Sequence, residues 1–255
     1  MRRQIIMVAD LLCCALLAAT VGAEPPPKNL LKEVAANGSL FEKERERYSY
    51  RQSFKFFEID RSGRAGGHYQ EVRDIIFGPD GERTERFLKK PVNALKRIKM
   101  TDEDFRDIRE MQPFILTDDT LWFYERRYRG EEMVDGRRCW VFRIQPRQVL
   151  EGQRLLDGQV WIDQETRQAV RVSGLPLPQI HHNDQDNLFA RFTTIYELVD
   201  GEYWFPVKTF ADDILPFSSG GQRVRYEIDF ADYKRFTAET TVTFESIKPG
   251  SEPAP

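Results

Sequence analysis

The chain has 255 residues, a length that suits one all-β domain or two smaller ones. Its 38 Lys and Arg stand against 41 Asp and Glu, a formal net charge of -3, without the basic surplus or stripe of a nucleic-acid binder. The 18 Phe, 9 Tyr and 4 Trp are enough large apolar side chains to build a core and to line a cavity.

Residues 1–23 read as a secretory signal peptide. Arg2 and Arg3 precede the apolar run IIMVADLLCCALLAATV, and Val21-Gly22-Ala23 supplies a small-residue cleavage site. A retained membrane anchor is the alternative, although the run is short for the ~20 residues of a spanning helix. Cys13 and Cys14 lack the small residues that precede a lipidated cysteine. Cleavage leaves Cys139 alone, so the mature chain forms no internal disulfide. Cys139 sits in the strand-like run Arg138 to Trp140 and reads as a small buried apolar residue, since nothing marks an activating base. No second long apolar stretch follows, so the exported protein is expected to be soluble, and it is taken to be a monomer.

Glu24 to Lys28 is a Pro-rich leader. From Asn29 to Arg47, the residues Leu30, Leu31, Val34, Leu40 and Phe41 recur at helical spacing, with a break expected near Asn37-Gly38. The period then changes to two. In YSYRQSFKF, Tyr48, Tyr50, Phe54 and Phe56 share one face and Ser49, Arg51, Ser53 and Lys55 the other, the pattern of a half-exposed strand. A Gly-rich turn (Arg61 to Gly67), a second strand (His68 to Phe77), the turn Gly78-Pro79-Asp80-Gly81 and a third strand (Glu82 to Leu88) follow.

Thr101 with Asp104 then predicts a capped helix carrying the stripe Phe105, Ile108 and Met111 and ending at Pro113. Strands resume at Leu121 to Tyr128, with Trp122, Tyr124 and Tyr128 on one face. After the turn dipeptide Asp135-Gly136, Trp140, Phe142 and Ile144 line the next strand. Gly158 to Asp163 and Gln168 to Ser173 form a hairpin about the turn Gln164 to Arg167. GLPLPQIHHNDQDN is expected as a loop. Strands follow at Phe189 to Val199, at Tyr203 to Phe210 and, after the loop ADDILPFSSGG, at Gln222 to Tyr233. The tail from Pro249 to Pro255 reads as disordered. Roughly ten strands in hairpin order predict a mainly β fold, one large curved antiparallel sheet with helices covering its concave face. Residues 29–248 form a single domain on this reading.

Catalytic signatures are sparse. The sequence has no G-x-S-x-G, P-loop, H-E-x-x-H or C-x-x-C. His181-His182-Asn183-Asp184 is the one cluster resembling metal ligands. Adjacent histidines point apart in an extended chain, so a solvated loop is the better reading and no metal or cofactor is expected. The acid pairs Asp118-Asp119 and Asp212-Asp213 lie in loop-like stretches that nothing brings together. The aromatic strand faces are more informative, with Tyr, Trp and Phe on one face and Arg, Lys and Glu on the other. They are either filled core or the wall of a cleft for an apolar ligand, and the two readings name the same residues.

The run RCWVFRIQPRQ followed by LLDGQVWIDQETRQAVRV resembles the LolA/LolB-like family of bacterial envelope proteins, which includes lipoprotein carriers and the sensor RseB. The matching positions are Pro146, Gly158, Val160, Trp161, Ile162, Asp163, Thr166, Val170 and Arg171. Glu202-Tyr203-Trp204-Phe205-Pro206 resembles a later element of the family, and the likeness extends loosely from Asn29 to about Phe236. The segment Thr101 to Arg129 has no counterpart in the transport members.

The resemblance implies an open half-barrel plugged by helices, an apolar cavity for acyl chains and a periplasmic location, and it does not imply catalysis. The expected function is an exported, soluble, non-enzymatic carrier that binds an acyl chain of a lipid or lipoprotein, with transient membrane contact, in outer-membrane lipoprotein sorting. The alternative is an envelope sensor or protein-interaction module on the same fold without lipid transport. Strand alternation names the lining residues as Tyr50, Phe54, Phe56, Trp122, Tyr124, Trp140, Phe142, Ile144, Val160, Ile162, Phe192, Tyr196, Phe205, Val224 and Tyr226, and a one-residue slip would reverse any strand's choice.

Overall fold

A computed structural model describes residues 25–78, 81–110, 113–150, 152–181 and 186–236. The expected signal peptide, Met111, His182 to Asp184 and the C-terminal tail lie outside these described residues.

Helix α1 (Leu30–Arg45) buries Leu30, Val34, Ala35 and Phe41 on one face. It runs unbroken through Gly38. A Cβ there would sit 2.0 Å from the Leu116 carbonyl oxygen, so this glycine permits close approach of two backbones rather than ending the helix.

Two long strands follow, β1 (Tyr48–Ile59) and β2 (Ala65–Phe77), then the shorter β3 (Arg83–Phe87) and β4 (Val92–Asn93). Helices α2 (Asp102–Glu110) and α3 (Asp118–Leu121) interrupt the strands. The second half holds β5 (Tyr124–Val134), β6 (Arg137–Pro146), β7 (Leu155–Asp163), β8 (Ala169–Leu177), the two-residue strands β9 (Ile180–His181) and β10 (Asp186–Asn187), β11 (Phe192–Val199), β12 (Tyr203–Phe217) and β13 (Gly220–Arg235).

The main sheet is antiparallel and has 11 strands, in the order β3-β2-β1-β13-β12-β11-β8-β7-β6-β5, with β4 beside β3 on the outer side of β2. β9 and β10 form a separate ribbon. β3 and β5 end the sheet without meeting, so the sheet is curved but open. The helices pack on one face and share a single apolar core with the strands. This is the open half-barrel with a helical cap that the resemblance implies.

The turn dipeptides act as expected. Asp135 and Gly136 both take positive φ (49° and 81°), as do Asp200 and Gly201 (53° and 73°), the backbone needed by a two-residue hairpin turn. In the VWIDQET turn, the Asp163 carboxylate accepts the Thr166 N–H at 3.2 Å and its hydroxyl at 2.7 Å. That explains the Asp and the Thr at this spacing.

Four expectations are corrected. ADDILPFSSGG is mostly strand, because β12 continues to Phe217 and pairs with β13 along its length. The alternation Ala211 and Leu215 inward, Asp212 and Ile214 outward was hidden by Pro216 and the acid pair. GLPL likewise belongs to β8. Trp122 does not lie in a strand. It closes the short helix α3 and is 66% exposed, so it leaves the concave face. Finally, the division into an aromatic and a charged face is incomplete. Gln52, Glu58, Glu71 and Arg73 are buried, in register with the inward aromatic residues of β1 and β2.

Candidate functional site

The concave face is built by strand parity. Tyr50, Phe54 and Phe56 of β1 lie beside Val224 and Tyr226 of β13, while Trp140, Phe142, Ile144, Val160 and Ile162 continue the face across β6 and β7. With Tyr124, Phe192, Tyr196 and Phe205 they join one buried core. Of the residues named from sequence, Trp122 is the one outside it. Aromatic contacts knit the core, among them Phe56 on Tyr226 with ring centroids 6.2 Å apart and Tyr48 edge-on to Phe205 at 5.1 Å.

The middle of this face is filled, while an open, largely polar pocket of about 480 Å³ lies between the end of α1 and Tyr50, Phe77 and Arg83. Under α1, the gap between Val34, Phe41, Val160, Val172, Tyr196 and Trp204 amounts to about 20 Å³. Under α2 lies a larger apolar cavity of about 80 Å³, walled by Phe54, Phe56, Val224 and Tyr226 of the sheet. Ile98, Met100 and Ile108 roof it, and Phe189, Leu215 and Phe217 close its side. Ligand pockets for drug-sized molecules span roughly 300–1,000 Å³, and an apolar void of about 150 Å³ is needed for benzene. A cavity of this size holds only a few methylenes.

The roof is held by polar groups. Glu58, buried at the end of β1, receives three consecutive backbone N–H groups. Lys96 donates at 3.0 Å, Arg97 at 2.7 Å and Ile98 at 2.7 Å. Gly67 makes room for this carboxylate, since a Cβ there would lie 2.4 Å from Glu58 Oε2. One turn on, Asp104 Oδ2 accepts the Thr101 N–H at 2.6 Å and its hydroxyl at 2.9 Å, which is the cap expected at the start of α2. Phe105 packs on Tyr69 with centroids 5.3 Å apart. The Tyr69 hydroxyl donates to Glu71 at 2.6 Å, and Glu71 and Glu85 flank Arg73 in ion pairs. Sequence reading missed Glu58, Glu71 and Arg73 as inward residues. Glu58 carries a legible signal, because it shares the even parity of Tyr48, Tyr50, Phe54 and Phe56.

Cys139 is buried on β6. Burial, aided by the Asp163 carboxylate, pushes its thiol up to about 11, far from a reactive thiolate. Burial also pushes the Tyr124 phenol up to about 12, while its oxygen accepts the Leu156 N–H at 3.1 Å. Tyr196 is raised further by complete burial, and its hydroxyl donates to the Phe114 carbonyl. Among the described residues, no group of three or more His, Cys, Asp and Glu is placed to hold a metal ion.

The β5 edge differs from the interior. β6 is its only ladder partner among the described residues, so the other side of its backbone faces outward. Trp122, Phe123, Tyr128 and Met133 are exposed along or just before it. Tyr128 packs on Phe142 at 5.5 Å, and a bulge follows between Tyr128 and Gly130.

No protein-family model matches the sequence, and no curated protein is a match. Among solved structures, the chain is similar to a DUF1329 family protein from Desulfovibrio piger at 15% identity, covering 85% of this chain and 96% of that one, with a TM-score of 0.41. A LolA superfamily protein from Nitrosomonas europaea aligns at 14% identity over 79% of this chain and 94% of that one, with a TM-score of 0.32. MucB aligns at 14% identity over 80% and 91%, with a TM-score of 0.27.

Proposed function

We propose that the chain is an exported, non-catalytic binding protein of the cell envelope that engages a protein partner through the β5 edge of its half-barrel. On this reading residues 1–23 are removed on export to the periplasm, and residues 29–248 act as one binding unit. The observation that carries it is the β5 edge itself: an outward-facing backbone flanked by exposed Trp122, Phe123, Tyr128 and Met133. An extended segment of a partner adds to such an edge by main-chain hydrogen bonds, and exposed aromatic side chains give it anchors. A concave face filled at its middle fits a module that works from its rim.

A second reading, an acyl-chain carrier, is favoured by the apolar cavity under α2. Its wall contains Phe54, Phe56, Val224 and Tyr226, four of the residues named from sequence. Each buried methylene would contribute about 0.8 kcal/mol, but α2 must move before a chain fits.

One experiment separates the two. A photoreactive side chain at Met133, with a control at exposed Leu198 of β11, is cross-linked in the envelope fraction, and native mass spectrometry follows detergent-free purification. A single stoichiometric protein adduct at Met133 and not at Leu198 supports the edge reading. Co-purified lipid without a Met133 adduct overturns it in favour of the carrier.

A further inference from the structure

We propose that the opposite edge of the sheet, formed by β3, β4 and the segment that follows, docks on an anionic lipid surface. The chain as a whole carries a formal charge of -3. Between Phe87 and Met100, however, it has Lys89, Lys90, Lys96, Arg97 and Lys99 and no Asp or Glu. All five cations are exposed, and none forms an ion pair with a described residue. The cations nearer β2 differ: Arg86 is paired with Asp74 at 3.2 Å, and Arg83 with Glu85.

Three apolar side chains beside these cations are exposed, whereas Leu95, Ile98 and Met100 pack on the core. Phe87 is 49% exposed and Val92 50%, with Leu88 exposed beside them. Cations interleaved with protruding apolar groups suit a bilayer interface, where the apolar groups enter the acyl boundary and lysine ammonium groups reach the phosphates. An acidic protein surface offers no acyl boundary for Phe87, Leu88 and Val92. Four of the five cations are lysines, flexible point charges rather than the forks that read single carboxylates.

The display is rigid. Val92 and Asn93 pair with Gln70 and Tyr69 of β2, and the Ala94 N–H donates to the His68 carbonyl at 2.8 Å. Glu58 then fixes the backbone of Lys96, Arg97 and Ile98. A basic tail would dock by charge alone, whereas this edge docks in one orientation. Ile98 and Met100 of the same segment roof the cavity under α2, so docking turns the cavity roof toward the membrane. The inference does not depend on the β5 reading.

The test is flotation of the protein, purified from its envelope fraction without detergent, with phosphatidylcholine vesicles that contain or lack phosphatidylglycerol. Binding is expected with the anionic vesicles only, and is weakened by salt. Lys89→Glu/Lys90→Glu/Lys96→Glu should lower partitioning by about two orders of magnitude. Phe87→Ser/Val92→Ser should lower it at unchanged charge. Arg126→Glu/Arg127→Glu on β5 should leave it intact, with circular dichroism checking that each variant folds. Equal binding to neutral vesicles, wild-type flotation by the triple variant, or no flotation at all overturns the proposal. Capture of polyglutamate without flotation also overturns it and assigns the cations to an acidic protein.

Discussion

The two edges of the half-barrel show how one open sheet handles two unpaired margins. At β5 the charges cancel, with Arg126, Arg127 and Arg129 against Glu125, Glu131 and Glu132, and a bulge interrupts the ladder. At β3–β4 the strands are short, Pro91 separates them, and between Phe87 and Met100 the charges have one sign. Bulges, short strands, proline and lysine are all means of keeping an edge from pairing indiscriminately. What remains exposed on each edge therefore differs in kind. β5 offers a long backbone with aromatic anchors and suits a chain that adds to it. The β3–β4 edge offers charge and apolar tips without a usable ladder and suits a surface.

The sharpest way to break this comparison is Glu58→Gln. The carboxylate meets three N–H donors, and an amide would keep one acceptor while turning its own N–H₂ toward them. The expected loss is about 3 kcal/mol in denaturant unfolding, with faster amide exchange over residues 96–108 and weaker vesicle binding. Amide exchange in β5 and β6 should not change. Uniform loosening of both edges would show that the anchor supports the whole fold rather than one margin.

Next in size is charge reversal. Lys89→Glu/Lys90→Glu/Lys96→Glu is expected to lower anionic-vesicle binding by about two orders of magnitude while leaving the Met133 cross-link unchanged. The converse is Trp122→Ser/Tyr128→Ser. It should reduce the cross-link about tenfold, keep vesicle binding, and cost about 1–2 kcal/mol in stability, because Trp122 is 66% exposed while Tyr128 gives up its packing on Phe142. A double loss in either variant would merge the two edges into one interface.

The difference between the edges also marks what sequence could show. The half-barrel was legible because period-two alternation and the Asp-Gly turns are local signals, and because both inner faces of β1 and β13 are aromatic. Fourteen of the fifteen named inward residues share the core for the same reason, leaving out only Trp122. Trp122 failed because the Thr117 capping box opens a helical turn that shifts the residues before Tyr124 out of strand geometry. Glu58 offered only its parity with the inward aromatic residues, and Arg73 offered nothing, because a buried charge is recognised by its partners, which here come from residues 96–98 and from Glu71 and Glu85. The basic edge was present in LKKPVNALKRIK, but a near-neutral total conceals it, since the acidic residues Asp102, Glu103, Asp104, Asp107 and Glu110 follow directly. Whether an aromatic face is cavity or core depends on how α2 packs, which no strand pattern encodes.

The smallest effect gives the finest test of the β5 edge. Cys139 lies opposite Glu132 of β5 in the β5–β6 ladder. Burial raises its thiol from 9.0 to about 11, with Asp163 adding to the rise and Arg137 and Arg171 opposing it. Because the folded value lies above the unfolded one, the contribution to stability is complete below the unfolded value. It is lost as pH rises toward and through about 11. Thermal melts should therefore fall over that window, and Cys139→Ala should remove part of the fall, leaving the share of Tyr124, whose phenol is raised to about 12. In the neutral range the shielded thiol should react with a thiol reagent only when β5 parts from β6. A partner strand added to β5 should slow that labelling, and anionic vesicles should not. Slowing by vesicles alone would reverse the assignment of the two edges.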